Sequence, residues 1–305
     1  MARKLILSID GGGIRGIIPA CALVRLEQLT GKPARETFAF AAGTSTGALI
    51  GAAVAAGLPA TRILDIYLNR AREIFSPGPP WNTAKRVVFG SMYCTATLRR
   101  VLAEELGEAS GWTLNDSPID LLISAKRVSD GKPWYFVRDN PKNSKTTGRL
   151  NLVDCATASA AAPTYFEPLP MQDPVSGALV DGGVGVTGNP VYQACVEAFY
   201  YHDSYVPAET VVVSLGTGRY ISVQDPAGLL GWLTWVLDTV LQAPEEQQTE
   251  IVKRHFVPQG LILYRRDFTL RENIPMDDVG SIHKLRGYGE EFAKDVPWEE
   301  ILALC

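Results

Sequence analysis

A serine between two glycines, an aspartate followed by two glycines and a run of three glycines are the residues of this chain that could do chemistry together. Residues 43–47 read GTSTG, which sets Gly43, Ser45 and Gly47 in a G-x-S-x-G pattern. Apolar residues precede it (AFAA) and small residues follow it (ALIGAAV). Between a strand and a helix, that pattern is a nucleophile elbow. The glycines permit a turn sharp enough to lift the serine hydroxyl above the sheet, at a helix N-terminus that favours negative charge. The chemistry would be attack on an ester carbonyl. The plainer alternative is a serine that only caps a helix.

A serine nucleophile needs a proton acceptor. The chain has three histidines, His202, His255 and His283. His202 ends a helix-like segment and His255 lies in a charged stretch. His283 opens a helix-like segment, yet it alone would complete the order Ser45, Asp181, His283 of an α/β-hydrolase triad. Asp181 by itself is the better candidate base. It follows an apolar strand (GALV) and precedes Gly182 and Gly183, which points its carboxylate at a site rather than at solvent. A turn-forming aspartate is the competing explanation. With an ordinary pKa near 3.9 an aspartate is a poor base, so partial burial must raise it.

Attack on an ester creates an oxyanion, and backbone N–H groups aimed at that oxygen stabilise it. The stretch LILSIDGGGIRG, residues 5–16, places Gly11, Gly12 and Gly13 between an apparent strand and an apparent helix. Their N–H groups carry no Cβ to obstruct a substrate, and Arg15 adds positive potential. With Gly16 the run also satisfies G-x-G-x-x-G, so two phosphate-binding readings compete. A dinucleotide site needs a carboxylate at the end of the second strand, but Glu36 precedes that strand, which ends in AGTSTG. A sugar-kinase-like phosphate hairpin, with VSLGTG at 213–218 as its second loop, needs its glycines between paired strands. Here IIPACALVRLEQL follows with helical spacing.

The elements that must position these groups alternate. Apolar runs predict strands over residues 5–9, 38–42, 121–125, 134–137, 179–180, 211–215 and 261–264. Helical spacing predicts helices over 17–29, 48–56, 64–74, 97–106, 152–160, 190–199 and 283–294. Strands without polar alternation, separated by helices, imply a mostly parallel sheet covered on both faces. The expected class is α/β, with residues 1–305 forming one domain.

In this order, DGGGIRG at 10–16, GTSTG at 43–47 and DGG at 181–183 resemble the patatin-like phospholipases. ATASAAAPTYFEP at 156–168 resembles the family's stretch just upstream of the aspartate, and the likeness spans about residues 4–219. The resemblance implies a three-layer α/β/α sandwich, Ser45 as nucleophile, Asp181 as base, and Gly11, Gly12 and Gly13 with Arg15 as the oxyanion loop. It implies hydrolysis of fatty acyl esters of glycerophospholipids with no metal and no other cofactor. Some bacterial members act in antiphage defence when a cyclic nucleotide switches them on. A small-molecule activator is therefore the alternative expectation.

Composition sets outer limits. The chain has 305 residues, 46% hydrophobic and 20% charged, with a net charge of -4. That balance argues against a nucleic acid polymer as partner. Lys142, Lys145 and Arg149 share one polar loop, either solvated or facing lipid headgroups. Five cysteines, Cys21, Cys94, Cys155, Cys195 and Cys305, show no pairing or metal-ligand spacing. They suggest reduced core residues of a cytoplasmic protein. The first apolar stretch is too short for a signal peptide, and no run reaches the roughly eighteen apolar residues of a spanning helix. The expected location is the cytoplasm, with peripheral action on a membrane. FSPGPPWN, residues 75–82, reads as a long loop or part of a lid. Residues 226–246, with Trp232 and Trp235, read as a buried helix, a membrane-interfacial element or a homo-oligomer contact.

Overall fold

The computed structural model describes residues 3–76, 90–143, 146–173, 175–220, 228 and 244–305. Its centre is built from the apolar runs. Strand β1 (Lys4–Ile9) is buried from its second residue onward, and β9 (Thr210–Leu215) is buried throughout. Such strands are stable only with both sheet faces covered. β1 pairs in parallel with β2 (Phe40–Thr44) on one side and β9 on the other. β10 (Ile262–Arg266) extends the parallel set beyond β9, and β4 (Asp120–Arg127) extends it beyond β2.

Past β4 the sheet changes character. β5 (Pro133–Val137) and β8 (Ala178–Asp181) both pair with β4 antiparallel, and β7 (Leu169–Pro170) pairs antiparallel with β8. The expectation of a mostly parallel sheet thus holds for the five strands from β10 to β4, and the whole sheet is mixed. The cause is local: only residues 128–132 join β4 to β5, too few for the crossover that a parallel neighbour needs. A separate parallel pair is formed by β3 (Ser91–Tyr93) and β6 (Thr164–Phe166).

Helices cover both faces. Leu5, Leu7 and Ile9 of β1 join one core, with α1 (Ile17–Thr30), α2 (Thr46–Ala56), α5 (Leu152–Ser159) and α8 (Ile282–Asp295). Ile6 points the other way, into a second core under α6 (Val191–Val196) and α7 (Pro244–His255). α3 (Ala60–Ile74) and α4 (Thr95–Leu106) add a flank to the first face. The chain's last helix, α9 (Trp298–Leu302), clasps α1: Trp298 is fully buried and donates its indole N–H to the Ala22 carbonyl at 3.0 Å.

Several boundaries shift from expectation. The second strand runs to Thr44 because Thr44 still pairs with Ser124, and its helix starts at Thr46. α7 has a polar sequence, PEEQQTEIVKRH, with no clear apolar period. Residues 77–82 of the expected lid lie outside the described residues, as do Lys145 and nearly all of 226–246, including Trp232 and Trp235. Lys142 pairs with Asp203 at 2.6 Å. Cys21, Cys155 and Cys195 are buried as expected, whereas Cys94 is partly exposed and Cys305, beyond α9, is exposed. Among the described residues no helix is long and apolar enough to cross a membrane.

Candidate active site

Ser45 sits between β2 and α2 at φ 55°, ψ -122°. A non-glycine residue with positive φ is strained by about 1–3 kcal/mol, and such strain collects at functional positions. The turn is tight enough that a Cβ on Gly43 would collide with the Gly47 carbonyl, and one on Gly47 with the Ile9 carbonyl. The Ser45 N–H is held by Ser159 Oγ at 2.9 Å, and its carbonyl accepts the N–H groups of Ala48 and Leu49 in the first turn of α2. Thr44 is tied down by Ser124 Oγ at 2.6 Å and by the Thr187 carbonyl at 2.5 Å.

The sheet register brings Asp181 to Ser45. β4 is longer than β2: Thr44 ends its pairing at Ser124, and the next residue, Ala125, pairs with Asp181. β5 occupies the other edge of β4 over the same residues, so β8 must lie on the β2 side. β2 and β8 therefore meet end to end, and Ser45 and Asp181 border the same cleft, with the hydroxyl near enough to favour the ionised carboxylate. Gly183 donates its N–H to Asp181 Oδ1 at 2.7 Å. Gly182 leaves no room for a Cβ against Ser124. Asp181 is only 3% exposed. Burial pushes its pKa from 3.8 to about 6, against the pull of the Ser45 hydroxyl and the Gly183 hydrogen bond.

The glycine loop is more differentiated than expected. Gly11 donates its N–H to the Gly188 carbonyl at 2.9 Å, so that group is already occupied. Among the described residues no acceptor takes the N–H groups of Gly12 and Gly13. Both have positive φ, 154° and 58°. A methyl on Gly12 would strike Thr217, whose hydroxyl donates to the Gly11 carbonyl, before it could obstruct a substrate. Arg15 is 3% exposed, and its Nε donates to the Gly12 carbonyl at 3.3 Å. It braces the loop from within. Gly16 has no space for a Cβ because Thr46 and Tyr67 hydrogen-bond directly above it.

Four contributors were not singled out as site residues by the sequence, although Thr217 lies in the VSLGTG stretch. Ser159 lies within the stretch upstream of Asp181 but belongs to no recognisable pattern. Arg265 grips the fully buried Asp10, the residue before the glycines, with Nη1–Oδ1 at 2.9 Å and Nη2–Oδ2 at 2.6 Å. Met276 covers the loop, and Thr217 supports it. The histidines lie elsewhere. His202 is 3.6 Å from Asp120, at the opposite end of β4, while His255 and His283 are exposed. None of the three borders the Ser45 cleft.

Beside Ser45 lies an apolar slot lined by residues of α2, α3 and α4, among them Leu49, Ala53, Ile63, Val101 and Leu102, together with Phe166. Its polar groups are gathered near the loop and Asp181. The arrangement combines a hydroxyl and a carboxylate in one cleft, N–H groups without an acceptor among the described residues, and an apolar slot. It can attack an ester while its acyl chain is out of water.

A family model described as Patatin-like phospholipase matches residues 7–194. A cGAMP-activated phospholipase of Vibrio cholerae is 30% identical over 303 residues, covering 91% of this chain and 84% of the relative. Patatin-like protein 2 of Arabidopsis thaliana is 31% identical over 82% of this chain and 70% of its own length. Human GIVD cytosolic phospholipase A2 superposes with a TM-score of 0.50 at 11% identity, over 99% of this chain and 60% of that structure, a likeness of fold. The family match and the length of the Vibrio similarity place this chain in the patatin-like phospholipase family of lipid ester hydrolases.

Proposed function

We propose that Ser45 and Asp181 are a catalytic dyad cleaving fatty acyl esters of glycerophospholipids at a membrane surface, within one domain spanning the chain. The observation that carries this reading is that the strained Ser45 and the buried Asp181 are brought together in one cleft lined by an apolar slot. Ser45 Oγ attacks the ester carbon as its proton passes to Asp181. The carbonyl π electrons move onto oxygen, which the Gly12 and Gly13 N–H groups receive. Collapse of this intermediate breaks the C–O bond to the alcohol, which leaves with the proton from Asp181. Water, deprotonated by Asp181, then cleaves the acyl-serine and restores both groups. A pKa of about 6 suits both halves of that cycle near neutral pH.

The slot supports a lipid acyl group as substrate. Ala53 lies eight residues beyond Ser45 along α2, about 12 Å at 1.5 Å per residue. Ile63 lies in the first turns of α3, across the short connection from α2, so both border the end remote from Ser45. Ala53→Leu is expected to lower kcat/KM for long-chain p-nitrophenyl esters about tenfold, with acetate turnover within about twofold of wild type. Ile63→Ala should shift the preferred chain upward. An unchanged chain-length profile in both folded variants would place the acyl chain elsewhere.

A second reading, activation by a small ligand, is supported by the similarity to the Vibrio cGAMP-activated phospholipase. Turnover measured with and without cGAMP separates the two. A rise of about tenfold or more identifies a switched enzyme, and unchanged turnover a constitutive one.

A further inference from the structure

Residues 274–281 form a strap over the glycine loop, and they lie beyond the part of the chain that the family match covers. The Met276 carbonyl accepts the N–H of Ile14 at 2.8 Å. Ile14 is the residue directly after the two glycines whose N–H groups have no acceptor among the described residues. The strap presses on the loop without slack, because a Cβ on Gly13 would collide with the same carbonyl. The strap is itself well defined. Ile274 is buried, Val279 N–H reaches the Asp277 carbonyl at 2.9 Å, and Asp278 receives Gly280 N–H at 2.9 Å and Ser281 Oγ at 2.7 Å.

One side chain ties this strap to the far wall. Tyr93 donates its hydroxyl to Asp277 Oδ2 at 2.6 Å. The peptide bond joining Met276 to Asp277 therefore has its carbonyl on the oxyanion loop and its next side chain on Tyr93. Tyr93 does not border the cleft. Its ring packs on Phe75 and Phe166, which do, with centroids 5.4 and 5.7 Å away.

We propose that Tyr93 and Asp277 are positioning residues for the oxyanion loop. Their hydrogen bond holds the 276–277 peptide so that its carbonyl fixes Ile14 and aims the Gly12 and Gly13 N–H groups at the ester oxygen. This rests on the Ser45 reading given above. A hydrogen bond that only stabilised the fold would change melting temperature and leave the transition state alone. One that aims oxyanion donors acts where negative charge develops, and so alters kcat more than KM.

The test uses a short soluble ester and a trifluoromethyl ketone, whose adduct with Ser45 places an oxyanion where the ester's would form. Tyr93→Phe removes the donor and keeps the ring packing, Asp277→Ala removes the acceptor, and Asp277→Asn keeps an acceptor oxygen. Tyr93→Phe and Asp277→Ala are each expected to lower kcat about tenfold with KM within about twofold. Inhibitor affinity should fall in parallel with kcat/KM. The double variant should be no worse than either single one, because both break the same bond, and Asp277→Asn should recover most of the rate. Full kcat in folded Tyr93→Phe, a change confined to KM, or independent multiplying effects would each overturn the proposal. If Tyr93→Phe does not fold, Asp277→Ala against Asp277→Asn decides it. Loss of activity in Ser45→Ala alongside full activity in Tyr93→Phe removes this inference alone. Retained activity in Ser45→Ala removes the dyad reading as well.

Discussion

Ser45→Ala is expected to abolish ester hydrolysis, and Asp181→Asn to lower kcat by about 10⁴-fold, since members of a catalytic unit fail together when one is removed. Asp181→Asn should do so without unfolding the protein. An asparagine carbonyl can still accept the Gly183 N–H, and its amide can still reach Ser45. The buried carboxyl also sets a pH dependence. A base must be ionised to work, so kcat/KM of the wild type should climb with pH through about 6 and level off above it.

Stability should move the opposite way. Because burial raises the folded pKa above 3.8, the contribution of Asp181 is fully present below that value and is lost as pH rises through about 6. Above that, the ionised carboxylate costs about 3 kcal/mol at 1.36 kcal/mol per pH unit. Asp181→Asn carries no charge at any pH. It should therefore be more stable than wild type near pH 8, with the difference vanishing near pH 4. Urea unfolding at both pH values measures this. A flat activity profile across that range, or an Asp181→Asn variant no more stable at pH 8, would sink the assignment.

Arg265→Met should cost about 3–5 kcal/mol of stability, a large share of the roughly 5–15 kcal/mol that holds a typical domain together. Asp10 has no solvent contact, and Arg265 meets both of its carboxylate oxygens while also reaching Ser214 Oγ at 3.0 Å. Removing the guanidinium strands a buried charge at the root of the glycine loop. Asp10→Asn in the same chain should restore part of the loss, since it removes that charge. By contrast, separating Arg25 from Glu299, 46% and 69% exposed at 3.5 Å, should change stability by less than about 1 kcal/mol. Denaturant midpoints of the three variants would settle the ranking. An Arg265→Met protein within about 1 kcal/mol of wild type would mean that Asp10 is not held as a paired charge.

What was legible in the sequence is what short-range backbone chemistry dictates. Gly43 is demanded within the turn itself, where a Cβ would meet the Gly47 carbonyl, so the motif and its serine are readable directly from the sequence. Apolar runs such as 5–9 and 211–215 must be buried on both faces, which is why the layered α/β class followed from pattern alone. Tertiary structure decided who meets whom. Asp181 reaches Ser45 only because β4 outruns β2 and accepts β8 on its free end, a matter of register between segments more than fifty residues apart. Gly11 looked equivalent to Gly12 and Gly13, but the Gly188 carbonyl, delivered by a distant loop, occupies its N–H. Arg265 and Met276 belong to no motif. A charged group and a backbone carbonyl act by position, and their positions at the glycine loop come from β10 and the strap packing against the rest of the chain. Local patterns encode the conformations a segment needs, whereas long-range packing sets distances, burial and therefore the pKa and free donors on which the chemistry depends.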